Sequence, residues 1–188
     1  MRSTAPRPSP VLTLSLCALL LLSGCGRQRF VVTTDSATNG RFHQPQFAST
    51  GGCTGANASP HLSWSGAPKA AQSFAVTMFD PDAKTGHGGF WHWAIFNLPA
   101  TVNDLPDNAS GAPARLPPSA TQARNDYGDV GYGGPCPPAG EDHRYVITVW
   151  ALKAPALLVA PTASAQDAAA QIRANAVAHT QITVRAGN

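Results

Sequence analysis

The sequence predicts a mainly β protein with one late helix on its outside. Three observations carry this. β-branched and aromatic runs stand at 72–80, 90–98 and 144–152, the composition of strands. Seventeen glycines and seventeen prolines punctuate the intervals, favouring shaped loops and turns. Helical periodicity appears clearly only at 164–179. At 188 residues, a single domain with a substantial core is the natural expectation.

In chain order, the segment FVVTT (30–34) reads as a strand, and 35–60 as loop with short extended pieces. HLSWSGAP (61–68) is a short alternating run that ends in a turn. QSFAVTMFD (72–80) is a strand stopped by Asp80-Pro81-Asp82, which is turn chemistry. FWHWAIFNL (90–98) alternates with period two, placing Trp91, Trp93 and Ile95 on one face and Phe90, His92, Ala94 and Phe96 on the other. Residues 99–134 form a long Pro/Ala/Gly-rich excursion, a length that is usually functional or mobile. Gly131–Tyr145, GYGGPCPPAGEDHRY, then leads into the strand RYVITVWAL (144–152). Glycine permits close backbone approach and proline freezes φ, so this loop has one shape and delivers His143 to the rim of a sheet. The helix at 164–179 opens on a capping signal, Ser164 with Asp167, and presents Ala168, Ile172 and Ala176 on one face. QITVR (181–185) closes as a strand.

The N-terminus reads as an address. MRSTAPRP is basic, VLTLSLCALLLL is a twelve-residue apolar run, and Leu22-Ser23-Gly24-Cys25 follows. The run falls short of the roughly twenty residues of a spanning helix and suits a secretory signal. Its ending resembles the bacterial lipobox. The expected organisation is a lipoprotein signal peptide at 1–24, a lipidated Cys25 with a short tether at 25–29, and one domain at 30–188. A plain signal peptide is the alternative. Gly26 follows the cysteine where an aspartate is associated with inner-membrane retention, so the outer membrane, facing the periplasm, is the expected home in the cell envelope. Cys17 leaves with the signal and Cys25 takes lipid, which leaves Cys53 and Cys136 as an even pair in an oxidising compartment. A disulfide between them is expected, with two buried free thiols as the alternative. The net charge of +3 includes Arg2 and Arg7 of the removable segment. No basic block remains to bind nucleic acid.

Three ionisable residues stand out: Asp80 at a strand end, His92 between aromatic residues, and His143 after the shaped loop. Each alone has a plainer reading, as a turn residue, a satisfied core histidine and a turn cap. The stretches FDPDAKTGHGGFWHWAIFNLP and GYGGPCPPAGEDHRYVITVWAL, with GCTGANASPHLSWSGAP before them, resemble the phosphatidylethanolamine-binding protein (PEBP) family, in particular its bacterial Raf-kinase-inhibitor-like branch. The resemblance runs from about Phe30 to the last strand. It implies a sandwich of two antiparallel sheets with a small peripheral C-terminal helix and an anion pocket at one end. It places Asp80, His92 and His143 in that pocket, with Asp82, Pro137 and Tyr145 as further ligand-binding positions. Phe90 stands where many relatives carry tryptophan, and Lys84 replaces the proline that usually follows DPDA.

The expected function is a binding module, without catalytic residues, metal or cofactor. It would take a small phosphorylated or carboxylate ligand or a lipid headgroup, with the membrane reached through the lipid anchor. A role as a kinase- or protease-inhibitor-like protein is the related reading, with 99–126 as the contact for an unidentified protein partner. The alternative is a hydrolase or metal-dependent enzyme built on the Asp/His/His set, a composition that suits two-histidine, one-carboxylate metal sites. The sequence has no Gly-x-Ser-x-Gly elbow, no His-Glu-x-x-His and no phosphate-cradling Gly-Lys-Ser/Thr motif. The N-terminal reading has a direct test. Cys25→Ser is expected to release the protein from the membrane fraction or leave it unprocessed; unchanged fractionation and size would contradict lipidation.

Overall fold

The computed structural model describes Met1 and residues 28–86, 88–160 and 162–187. Apart from Met1, the expected signal segment 1–24 lies outside the described residues, as does Cys25. The strands are β1 (Val31–Thr33), β2 (Ala37–Thr38), β3 (Arg41–Phe42), β4 (Leu62–Ser65), β5 (Ser73–Asp80), β6 (Phe90–Pro99), β7 (Asp104–Leu105), β8 (Thr121–Gln122), β9 (Asp142–Leu152) and β10 (Ala176–Gly187), with α1 (Ala165–Asn175) before the last.

Two sheets face each other. One has the order β1-β4-β7, and the larger has the order β2-β3-β10-β9-β5-β6-β8. All pairings are antiparallel except β3 with β10, which run parallel through one pair, Arg41 and Arg185. The two sheets and the late helix are as the resemblance implied. The inter-sheet core joins Val32, Leu62, Trp64 and Leu105 to Phe74, Val76, Met78, Trp93, Ile147 and Val149. On the outer face of the large sheet, Ala75, Ala94, Phe96 and Leu152 pack under Ala165, Ala168 and Ile172 of α1. β5 is thus covered on both sides, which explains its near-continuous apolar run rather than a strict alternation.

The helix begins as expected, with the Asp167 N–H donating to Ser164 Oγ at 3.1 Å. It ends earlier than its pattern suggests. Residues 176–179 belong to β10, whose pairing with β9 runs from Ala176 and Leu152 to Gly187 and Asp142. A ladder this long satisfies backbone groups that a further helical turn would satisfy only locally, and tertiary pairing outweighs the modest helix preference of two alanines. The 99–134 excursion likewise supplies an edge strand to each sheet, β7 and β8.

β6 departs from simple alternation at the position that matters most. Met78 pairs with Trp93, and Phe79 pairs with Trp91, so His92 is the extra residue of a bulge. Trp91 therefore joins Phe79 and the helix side rather than the face of Trp93 and Ile95. Bulges re-aim side chains in this way and recur beside functional sites.

Cys53 and Cys136 form a disulfide with Cα atoms 5.8 Å apart, closing 83 residues of chain. It ties the 48–58 loop to the loop ahead of β9. In the chain-entropy account, a crosslink over that span contributes roughly 4–5 kcal/mol. The double variant Cys53→Ala/Cys136→Ala is expected to lose stability on that scale in urea unfolding, and an unchanged midpoint would show that the crosslink contributes little.

Candidate functional site

The order β9-β5-β6 places Asp80 at the end of the central strand, with His143 arriving from one neighbour and His92 from the other. Asp80 is only 2% exposed. Its Oδ1 accepts the N–H groups of Asp82 at 2.8 Å and Ala83 at 3.1 Å. Its Oδ2 accepts from Nδ1 of His143 at 2.7 Å. A buried carboxylate persists when its lone pairs are satisfied, and here the turn and the imidazole do so together. Asp80 therefore positions His143 and shapes the turn.

The other ring nitrogen of His143, Nε2, lies 2.9 Å from Oε2 of Glu141, and Oε1 of Glu141 accepts from Lys84 Nζ at 2.9 Å. Burial pulls the His143 pKa down, but the hydrogen bonds to Glu141 and Asp80 outweigh it and leave the pKa raised. Glu141 is held below the usual carboxylate range by His143 first and Lys84 second. The two carboxylates that flank the ring favour its protonated form.

His92 behaves differently. Its Nδ1–H donates to the Gly133 carbonyl at 2.6 Å. Burial lowers its pKa to about 4, against the opposing effect of that hydrogen bond. At neutral pH the ring is uncharged, and Nε2 is an acceptor. The bulge buries this ring among Phe90, Tyr127 and Tyr145. Gly133 also donates its own N–H to the His92 carbonyl at 2.8 Å. A Cβ at Gly133 would meet the Tyr127 ring at 2.4 Å, and one at Gly134 would meet the Gln46 carbonyl at 2.4 Å. Only glycines allow this loop to lie so close.

These groups enclose a cavity of about 250 Å³. Asp80, His92, Pro137, His143 and Tyr145, all singled out from the sequence, line it together with Tyr127, Glu141, Lys84 and the disulfide half Cys136. The Tyr145 phenol is pushed up by burial and by the Asp80 charge, so it stays protonated. Tyr127 is raised to about 12 for the same two reasons, and its hydroxyl donates to the Gly134 carbonyl. Asp82 is not in the lining. It accepts from the Arg144 backbone N–H at 2.8 Å and from the guanidinium at 3.0 and 2.7 Å, which lowers its pKa to about 2. It fastens the turn to β9. Tyr127 and Glu141 were not anticipated. Glu141 had a signal, since it sits two residues before His143; Tyr127 lies in the long excursion, where no pattern marks it.

A phosphatidylethanolamine-binding protein family model matches residues 33–187. The chain belongs to that family. It is 47% identical over 134 residues to the UPF0098 protein YbcL of Escherichia coli K12, covering 70% of this chain and 73% of that protein. It is 48% identical over 101 residues to the UPF0098 protein YbhB of the same organism, covering 54% and 63%. The crystal structure of E. coli YbcL, described as a new member of the mammalian PEBP family, superposes with a TM-score of 0.80 at 42% identity, over 85% of this chain and 98% of that one. A PEBP homologue from Chlamydia trachomatis superposes with a TM-score of 0.72 at 25% identity, over 86% and 99%. The family fold is this sandwich with its peripheral helix, and the chain carries it in full.

The two histidines give stability opposite pH dependences. An unfolded chain protonates His92 near its ordinary value of 6.5, whereas the folded protein does so near 4. The stability from keeping this ring neutral is complete above pH 6.5 and is lost as pH falls toward 4, roughly 3 kcal/mol in all. His143, with its pKa raised, contributes fully below its ordinary value and loses that contribution as pH rises through its folded value. Denaturant unfolding at pH 7 and pH 4 is expected to show a wild-type loss about 3 kcal/mol larger than that of His92→Gln. Equal losses would mean that His92 is not the buried neutral base.

Proposed function

We propose that this protein is a lipid-anchored binding module of the bacterial envelope whose PEBP-type pocket takes an oxyanion, a phosphoryl or carboxylate group on a small molecule or lipid headgroup, without turning it over. The observation that carries the reading is the placement of His143, with one ring nitrogen held by Asp80 and the other at the cavity. Asp80 holds Nδ1–H from behind at 2.7 Å, and this directs the charged Nε2–H to the cavity mouth, where it already faces a carboxylate. A charge-assisted donor of fixed direction in a small, rigid cavity is suited to an anion. His92 adds an acceptor that would meet a protonated phosphate oxygen or an ammonium group. Pro137 and Pro138 stiffen the rim, with Cys136 pinned beside them. The lipobox-like Leu-Ser-Gly-Cys sequence supports the envelope setting, on the outer membrane.

Calorimetric titration with inorganic phosphate, with phosphoethanolamine, and with vesicles carrying phosphatidylethanolamine separates a free ligand from a headgroup. His143→Ala, checked for folding, is expected to bind phosphate or phosphoethanolamine about ten- to a hundredfold more weakly than wild type, the effect of losing a hydrogen bond to a charged group. Wild-type affinity is expected to fall as pH rises and His143 loses its proton. Equal affinity in the two proteins would overturn the pocket assignment, and phosphoethanolamine hydrolysis that depends on His143 would make the protein an enzyme.

A further inference from the structure

Lys84 and Glu141 stand on opposite sides of the cavity mouth, one on the turn after β5 and the other just ahead of β9. They meet across it at 2.9 Å, while the second oxygen of Glu141 lies 2.9 Å from His143 Nε2. With Nδ1–H committed to Asp80, Nε2–H is the ring's other donor, and Glu141 has taken it. The carboxylate stands where an incoming oxyanion would have to bind. It is not packed in place: 34% of the Glu141 side chain and 79% of the Lys84 side chain are exposed.

We infer that Glu141 is the pocket's internal occupant, and that a ligand binds by displacing its carboxylate from His143 and meeting Lys84 as well, which favours phosphate monoesters over simple carboxylates. This rests on the reading of the cavity as an anion site. The reasoning is one of exchange. A carboxylate ligand replaces like with like, and it competes with a group tethered at high effective concentration. A phosphate dianion carries a second charge and a third oxygen, so it can engage the imidazolium and the ammonium together. The displaced Glu141 returns to water at little cost because it is already partly solvated. Apparent affinity is reduced by the fraction of molecules in which Glu141 holds the ring.

Two measurements on wild type, Glu141→Gln, Glu141→Ala and His143→Ala test this. The first needs no ligand: the His143 imidazole is titrated by NMR. Its charged and titratable neighbours are Asp80 at the end of β5, Asp82 and Lys84 on the following turn, His92 on β6, and Glu141 and Tyr145 flanking it. Of these, only Glu141 changes in the two variants, and the midpoint is expected to fall in both. An unchanged midpoint would overturn the occupancy. The second is calorimetry with inorganic phosphate and with acetate. Phosphate is expected to bind Glu141→Ala about tenfold or more tightly than wild type, and acetate to bind measurably only once Glu141 has been removed. Equal phosphate affinity in wild type and both Glu141 variants, with binding still lost in His143→Ala, would overturn the internal occupant and leave the anion pocket standing. Absence of phosphate binding in every variant would overturn both.

Discussion

The buried contact between Asp80 and His143 organises this end of the molecule. A carboxylate 2% exposed and an imidazole 5% exposed would each be costly to bury alone. Together, at 2.7 Å and with two backbone donors on the other carboxylate oxygen, they are satisfied. The turn after β5, the start of β9 and the charge state of the ring are then one structural unit. Asp82 strengthens it from outside by gripping Arg144, the residue next to His143. Asp80 lines the cavity and positions His143, while Asp82 ties the turn to β9.

The pocket's rigidity has three separate sources. The bulge in β6 turns His92 away from the regular ladder and buries it neutral against the Gly133 carbonyl. Gly133 and Gly134, in the loop ahead of β9, let the backbone lie where a side chain would collide. The disulfide then joins that loop to the 48–58 segment, whose Ala48 N–H also donates to the Pro135 carbonyl at 3.0 Å. For the ligand proposed above, little ordering would remain to be done on entry, which is the physical advantage of a preorganised site. At the mouth, Lys84 is exposed and Glu141 partly so.

The two histidines share a composition-level description and differ in chemistry because their surroundings differ. His143 has two carboxylates within hydrogen-bonding reach, which raise its pKa; His92 has a carbonyl and aromatic rings, and burial holds it neutral. Charge in this pocket is set by what faces each ring rather than by residue type.

The sequence by itself determined the mainly β class, the strands around 73–80, 90–99 and 142–152, the capped start of the helix, and the pairing of two cysteines. Each follows from local signals: side-chain shape, period, turn residues and an even count. Asp80, His92 and His143 were also legible as a set, through motifs long enough to carry a family resemblance. Tertiary structure alone decided the rest. Pairing with β9 converted 176–179 from helix to strand, because a ladder across the sheet outweighs propensity. The bulge that re-aims His92 depends on how two strands register, which neither strand encodes alone. Tyr127 reached the pocket from a 36-residue excursion (99–134) without any local pattern. The Lys84–Glu141 contact joins residues 57 apart. Electrostatic partners across such distances are chosen by the folded backbone, and no spacing in the chain records them.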